Sequence, residues 1–302
     1  MEFEIVAEDL KFPEGPVVME DGSILIVEIA AGCITRVWGD GRRETVAEPG
    51  GGPNGLAVGP DGALYCCNNG GFAYHEMDDL LIPGNCPEDY SGGRIERIDL
   101  STGQVERVLD TVGEETLRGP NDIVFDQAGN YYFTDHGKTF NRHRDFGGLY
   151  FVDTDGAAKE MAFHHTSPNG VGLSPDEQTV YMADTLTGRL WAFDLKAPGD
   201  LRETSPLGPD GRVVATLPGL QYLDSLAVTA AGNLTVATIL NGGITTFSPD
   251  GATIHTAFPD PLVTNIAFGG ENMRTAWICL SGTGKLVKCT WHEPGLDLAF
   301  KA

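Results

Sequence analysis

Positive charge is scarce in this chain: 20 Lys and Arg stand against 43 Asp and Glu, a net charge of −23 over 302 residues. That balance excludes a nucleic-acid-binding surface, which needs a basic patch to meet phosphate. Its simplest consequence is solubility; acidity names no substrate. No run of 18 apolar residues occurs, so no membrane-spanning helix is expected. No stretch sustains a helical period. The N-terminal Met1-Glu2-Phe3-Glu4-Ile5-Val6 lacks a signal-peptide pattern. The six cysteines, Cys33, Cys66, Cys67, Cys86, Cys279 and Cys289, form no CxxC pair. They are expected to be free thiols in a cytoplasmic protein. Other catalytic signatures are missing too: there is no GxSxG elbow, Walker loop, HExxH helix or zinc-type Cys/His spacing.

What the chain has in quantity is turn residues, 40 Gly and 18 Pro. They punctuate one phrase that recurs six times: a polar residue at a turn, an apolar strand, a tight turn, a second strand. The copies begin at Phe12-Pro13-Glu14-Gly15, Pro53-Asn54-Gly55, Pro120-Asn121-Asp122, Pro168-Asn169-Gly170, Leu223-Asp224-Ser225 and Thr264-Asn265-Ile266. Their fixed position reads Glu14, Asn54, Asn121, Asn169, Asp224, Asn265, at separations of 40, 67, 48, 55 and 41 residues. Repeats of that length made of short strands are the signature of a β-propeller. The expected fold is therefore all-β: a six-bladed β-propeller formed by residues 1–302 as a single domain. A propeller must close its ring, because an open sheet edge invites aggregation. Residues 2–8 alternate like a strand and are expected to pair into the last blade, built from about 262 to 300.

Two segments break the repeat. Residues 70–93 form a long insertion in blade two, with Phe72, Tyr74, Met77 and Tyr90. Residues 137–147 form a loop in blade three with Lys138, Arg142, His143 and Arg144, a basic cluster in an acidic chain. Loops of this kind act as lids or binding loops, and both are expected over the channel mouth. The tail from Gly295 to Leu298 is expected on the outside.

In a propeller the first strand of each blade lines the central channel, so equivalent positions form a ring around one axis. Each Asn of this ring, taken alone, reads equally as a turn residue. Together the six offer only carboxylates and amides, an oxygen-rich set suited to a hard divalent cation at the centre. Glu14 and Asp224 are its two anions. Asp122, Asp135 and His136 are further candidates, His136 because histidine titrates near neutrality. His164 and His165 are adjacent in a strand and point oppositely, so they are expected to be structural or at the rim.

At these residues the chain resembles the SMP-30/gluconolactonase/LRE family of six-bladed propeller lactonases, over nearly its whole length. The resemblance implies a divalent ion, Ca²⁺ first, with Zn²⁺, Mn²⁺, Mg²⁺ or Fe²⁺ as alternatives. It places the family's metal ligands on Glu14, Asn169 and Asp224 and a substrate-side amide on Asn121. Asn54, Asn265, His136 and Arg118 are the other substrate-binding candidates. It further implies a hydrolase of carboxylic esters in which the ion polarises a lactone carbonyl, with Glu14 and Asp224 catalytic and Asp224 the base. The partner is then a small lactone of a sugar acid or other hydroxy acid, bound by a monomer or small homo-oligomer. Two alternatives use the same ring: a metal-dependent phosphotriesterase, and a propeller that binds a ligand without chemistry.

Overall fold

The computed structural model describes residues 1–203, 207–249 and 251–301. Six antiparallel sheets follow one another along the chain. Their innermost strands are Pro13–Val18, Pro53–Val58, Pro120–Phe125, Pro168–Leu173, Tyr222–Val228 and Val263–Gly269. Each inner strand touches the next, and the sixth touches the first, so the blades close into a ring. The fold is a six-bladed β-propeller. Blade four carries one extra short strand, Asp200–Leu201. The closing strand is Glu4–Ala7, which lies antiparallel to Lys285–Thr290 with Ile5 opposite Val287. It completes blade six as the sequence predicts.

The strand pattern follows burial. A blade's second strand is covered on both faces by its neighbours, so it need not alternate. Ile24, Leu25, Ile26 and Val27 are accordingly all shut off from solvent. The outer strand Arg43–Ala47 runs from exposed to buried and carries charge. Between first and second strands the chain reverses in tight turns. At Asp21-Gly22 the carboxylate accepts from the Ser23 amide at 2.9 Å, and Gly22 takes the left-handed φ of +81° that the turn requires.

The two irregular segments lie at the end of the ring where the inner strands begin. Within 70–93 a hairpin forms, Tyr74–Met77 against Leu80–Pro83, which the repeat pattern does not foretell. Phe72, Tyr74, Leu81 and Ile82 pack against a core cluster that includes Phe12 of blade one and Leu262 of blade six. The Leu81 amide donates to Gly282 of blade six at 2.9 Å, and the Cys86 amide donates to Thr139 of the blade-three loop at 2.8 Å. An insertion from blade two thus reaches blades one, three and six.

The far end is closed differently. A central channel of about 630 Å³ runs from Asp122 and Asn265 to Leu298 and Phe300. Its walls include the small residues Ala57, Gly172, Ala227 and Ala267. The C-terminal tail crosses this mouth instead of lying outside: Leu296 donates its amide to Val228 at 2.9 Å, and the Phe300 ring lies 6.0 Å from Phe125. Apolar walls at the mouth gain by covering from the apolar tail, which no local pattern reveals.

Candidate active site

All six inner strands are irregular at the same place. The register with the second strand slips between Glu14 and Val17, Pro53 and Leu56, Pro120 and Ile123, Pro168 and Val171, Leu223 and Leu226, and Val263 and Asn265. A bulge bends its strand and re-aims a side chain. Repeated six times, it sets Glu14, Asn54, Asn121, Asn169, Asp224 and Asn265 around one axis, all of them buried. Successive blades press together just behind this ring. A Cβ at Gly15 would lie 2.3 Å from the Asn54 carbonyl oxygen, and one at Gly55 would lie 2.7 Å from the Asp122 carboxylate.

Asp122, a further candidate from the sequence, lies beside the ring. It is buried, and its carboxylate accepts from the Ile123 amide at 3.0 Å and the Val171 amide at 3.3 Å. The signal was present one blade earlier: Gly55 vacates the space that this carboxylate fills. Glu14 accepts from its own neighbour Gly15 at 2.7 Å and from Asn265 Nδ2 at 2.6 Å. Asn265 is committed at its other end too, since its Oδ1 accepts from the Ile266 amide at 2.8 Å. Its observed role is to hold Glu14. Asn169 donates to Thr185 at 3.0 Å and accepts from Ser225 at 3.4 Å. Asn121 leaves its side-chain oxygen buried without a hydrogen-bond partner.

Three carboxylates thus share one buried region. Burial raises the pKa of Glu14, against hydrogen bonds from Thr264, Asn265 and Gly15. Burial pushes Asp122 up to about 7, with the charge of Glu14 adding to it. Asp224 is driven well above the usual carboxylate range by burial and then by Glu14. Among the described residues no Lys or Arg forms an ion pair with any of the three. Buried charges persist only when paired or metal-bound. Among the described residues no three His, Cys, Asp or Glu side chains converge closely enough to hold an ion alone, so an ion here would also need amide oxygens. Carboxylates with amide oxygens of the ring fit a hard divalent cation; that of Asn121 is free, and that of Asn169 accepts only a long bond from Ser225 at 3.4 Å.

This arrangement makes stability depend on pH. The three carboxyls bind protons more tightly folded than unfolded, so their contribution is present at acid pH and fades as pH rises through the folded values, about 7 for Asp122. In chelator, the melting temperature should fall by at least about 5 °C between roughly pH 5.5 and pH 8 from this source. Millimolar calcium should remove most of that fall by binding the charged form. Differential scanning calorimetry at both pH values checks this; a chelated protein equally stable at each would refute the three-carboxylate account.

Residues 12–282 match the SMP-30/gluconolactonase/LRE-like region. The chain belongs to this family. A gluconolactonase of Zymomonas mobilis subsp. mobilis is 28% identical over 306 residues, covering 92% of this chain and 78% of the relative. The diisopropyl-fluorophosphatase of Loligo vulgaris is 25% identical over 194 residues, 56% of this chain and 59% of that one. Among solved structures, a gluconolactonase of Xanthomonas campestris superposes with a TM-score of 0.75 at 22% identity, over 95% of this chain and 89% of its own.

The other candidates of this family member fall outside the ring. Asp135 spends its oxygens on the backbone amides of Arg118, Gly119 and Gly137, at 2.7, 2.7 and 2.8 Å, and so caps a loop. His136 follows the strand Tyr131–Asp135. Burial, with Arg144 and Lys138 nearby, pulls its pKa down to about 3. Its Nδ1 faces the Pro168 carbonyl oxygen at 3.1 Å, next to the ligand candidate Asn169. Arg118 pairs with Asp145 at 3.2 Å and is half exposed, on the rim. His165 is buried against Trp191 and Phe193, and His164 lies beside Phe146 and Phe163, so neither joins the ring.

Lys138, singled out only as part of a basic cluster, is buried. Its ammonium donates to the Gly71 carbonyl at 2.6 Å and to Asn69 Oδ1 at 3.2 Å, and it lies 4.2 Å from the Phe72 ring centre. It fastens the insertion to the blade-three loop. Burial lowers its pKa to about 8, so the fastening keeps its charge at neutral pH.

Proposed function

We propose that this protein is a metal-dependent lactonase acting on the lactone of a small hydroxy acid. The observation that carries the proposal is the unneutralised carboxylate trio of Glu14, Asp122 and Asp224, with the buried, unpartnered oxygen of Asn121 in the same ring of inner-strand positions. Kinship with gluconolactonases supports it. Glu14, Asn169 and Asp224, with Asp122 beside them, would hold the cation, and calcium suits so oxygen-rich a set best. When bound, the ion polarises the ester carbonyl and stabilises charge developing on its oxygen.

The chain's own residues do the rest. Asp224 accepts a proton from the attacking water as the water oxygen bonds to the carbonyl carbon. The ring C–O bond then breaks, and the proton passes to the departing alkoxide oxygen, which becomes the hydroxyl of the opened acid. Asn121 orients the substrate through its free acceptor. Asn265 keeps Glu14 in place, and the buried setting excludes competing water. Insertion 70–93 and loop 137–147, fastened through Lys138, form the lid and set substrate choice.

A second reading is phosphotriester hydrolysis, favoured by the likeness to diisopropyl-fluorophosphatase. One assay separates them. Chelated protein is tested against aldonolactones, aliphatic γ- and δ-lactones and a phosphotriester, by proton release, with each divalent cation then restored. The lactonase reading expects cation-restored turnover of a lactone above the triester. Triester cleavage alone would replace it with the second reading. Cation binding without turnover of either would leave a ligand-binding propeller.

A further inference from the structure

We infer that the Tyr74 hydroxyl is a catalytic hydrogen-bond donor, meeting the substrate's carbonyl oxygen over the ring as that oxygen becomes an oxyanion. The inference rests on the lactonase reading and adds a residue from outside the ring repeat.

Tyr74 belongs to the insertion, yet it is held at the start of blade one. Its ring centre lies 5.5 Å from that of Phe12 and 6.3 Å from that of Phe72. Phe12, two residues before Glu14, has a φ of +61°, a conformation that a bulky side chain adopts only under constraint. Its carbonyl accepts from the Ile29 amide at 3.2 Å, which fixes it there. The insertion is pinned at both flanks, by Leu81 on Gly282 and by Cys86 on Thr139. Position 74 is therefore built and not incidental.

The hydroxyl is the unexplained part. Its oxygen is buried and has no hydrogen-bond partner. The ring it belongs to lies against Phe12, two residues from Glu14, and burial, then the charge of Glu14, push its pKa up. Packing alone would be served better by phenylalanine, since a buried hydroxyl left unpaired destabilises the fold. The cost makes sense if a partner arrives with the substrate. Around the axis stand three carboxylates and the free oxygen of Asn121, while the amide donors of Asn169 and Asn265 are spent on Thr185 and Glu14. A carbonyl oxygen entering that space needs a donor, and Tyr74 carries an unspent one. Donors preorganised for a developing oxyanion, tyrosine included, stabilise the transition state more than the ground state. The hydroxyl keeps its proton throughout; the proton that moves is the attacking water's, taken by Asp224.

The test is Tyr74→Phe, which removes one oxygen and keeps the ring contacts. Three readouts are compared with the parent: melting temperature, kcat and KM on the best lactone of the panel, and the tyrosine absorption change when gluconate is titrated into calcium-loaded protein. The expected result is equal or higher stability, kcat lower by about 100-fold, KM within about twofold, and an absorption change that is present in the parent and absent in the variant. Unchanged kcat overturns the inference. So does a loss of kcat that comes with a lower melting temperature, which assigns Tyr74 to packing. Should the parent hydrolyse no lactone, the lactonase reading has failed and the gluconate titration still decides. A change confined to the parent keeps Tyr74 as a ligand donor, and no change, or the same change in both, removes it.

Discussion

Asp224→Asn should lower lactone turnover by about 1,000-fold while the protein stays folded. The substitution keeps shape and size, so the bulge in Tyr222–Val228 has no steric reason to move. It removes the proton acceptor and one of the anionic candidates for holding the ion. It also removes a charge that Glu14 repels, the second cause of the raised Asp224 pKa. The chelated variant should therefore melt no lower than the chelated parent near pH 8, and higher if repulsion dominates. Activity and stability move in opposite directions, which a merely structural aspartate would not produce. Steady-state kinetics with saturating calcium and calorimetry with chelator supply both readings. Turnover within tenfold of the parent would remove Asp224 from the role of base.

The largest effect on folding should come from a residue that contacts no substrate. Gly15→Ala places a Cβ 2.3 Å from the Asn54 carbonyl oxygen and 3.1 Å from the Leu56 amide, at a φ of +53°. Both contacts are backbone, so no side chain can swing aside. Strain in the left-handed region and overpacking each cost about 1–3 kcal/mol, for a total of about 3 kcal/mol or more. A melting temperature lower by about 6–12 °C follows for a chain of this size. Gly22→Ala is the control: its φ is +81°, but nothing lies within 4 Å of the added carbon. It should lose about 1 kcal/mol from the torsion alone. Equal losses in the two variants would mean that the close approach between blades one and two contributes nothing. The Gly15 amide also donates to Glu14, so a shifted backbone at this position should weaken cation binding as well.

These two residues mark where sequence reading succeeds. The repeat is local: a polar residue, a strand, a turn and a second strand lie within about thirty residues, and periodicity exposes them. Six copies are sufficient to count the blades, and a propeller's geometry then requires one position of each to meet at the axis. Closure by the N-terminal strand follows from the cost of an open edge and from the alternation of residues 2–8, and Ile5 does face Val287. The six ring positions could thus be placed on one axis before any coordinates; choosing Glu14, Asn169 and Asp224 among them as ligand candidates rests on the family resemblance.

What stayed hidden depends on contacts between blades. Asp122 looked like the neighbour of a ring residue, but Gly55 of the preceding blade makes room for its carboxylate. His136 looked like a proton carrier, but its fate depends on how deeply two loops and the Arg144 and Lys138 charges enclose it. Lys138 looked like a solvated charge until the loop carried it under the Phe72 ring. The tail was expected outside, yet Leu296 and Phe300 find apolar partners across the far mouth. The sequence by itself determined the number of blades, the oxygen-only chemistry of the ring and the strand that closes it, because those follow from short-range pattern and a required symmetry. Tertiary structure alone decided which carboxylates are buried together, which loop covers them and where the Tyr74 hydroxyl ends, because burial and electrostatic coupling arise between segments far apart in the chain.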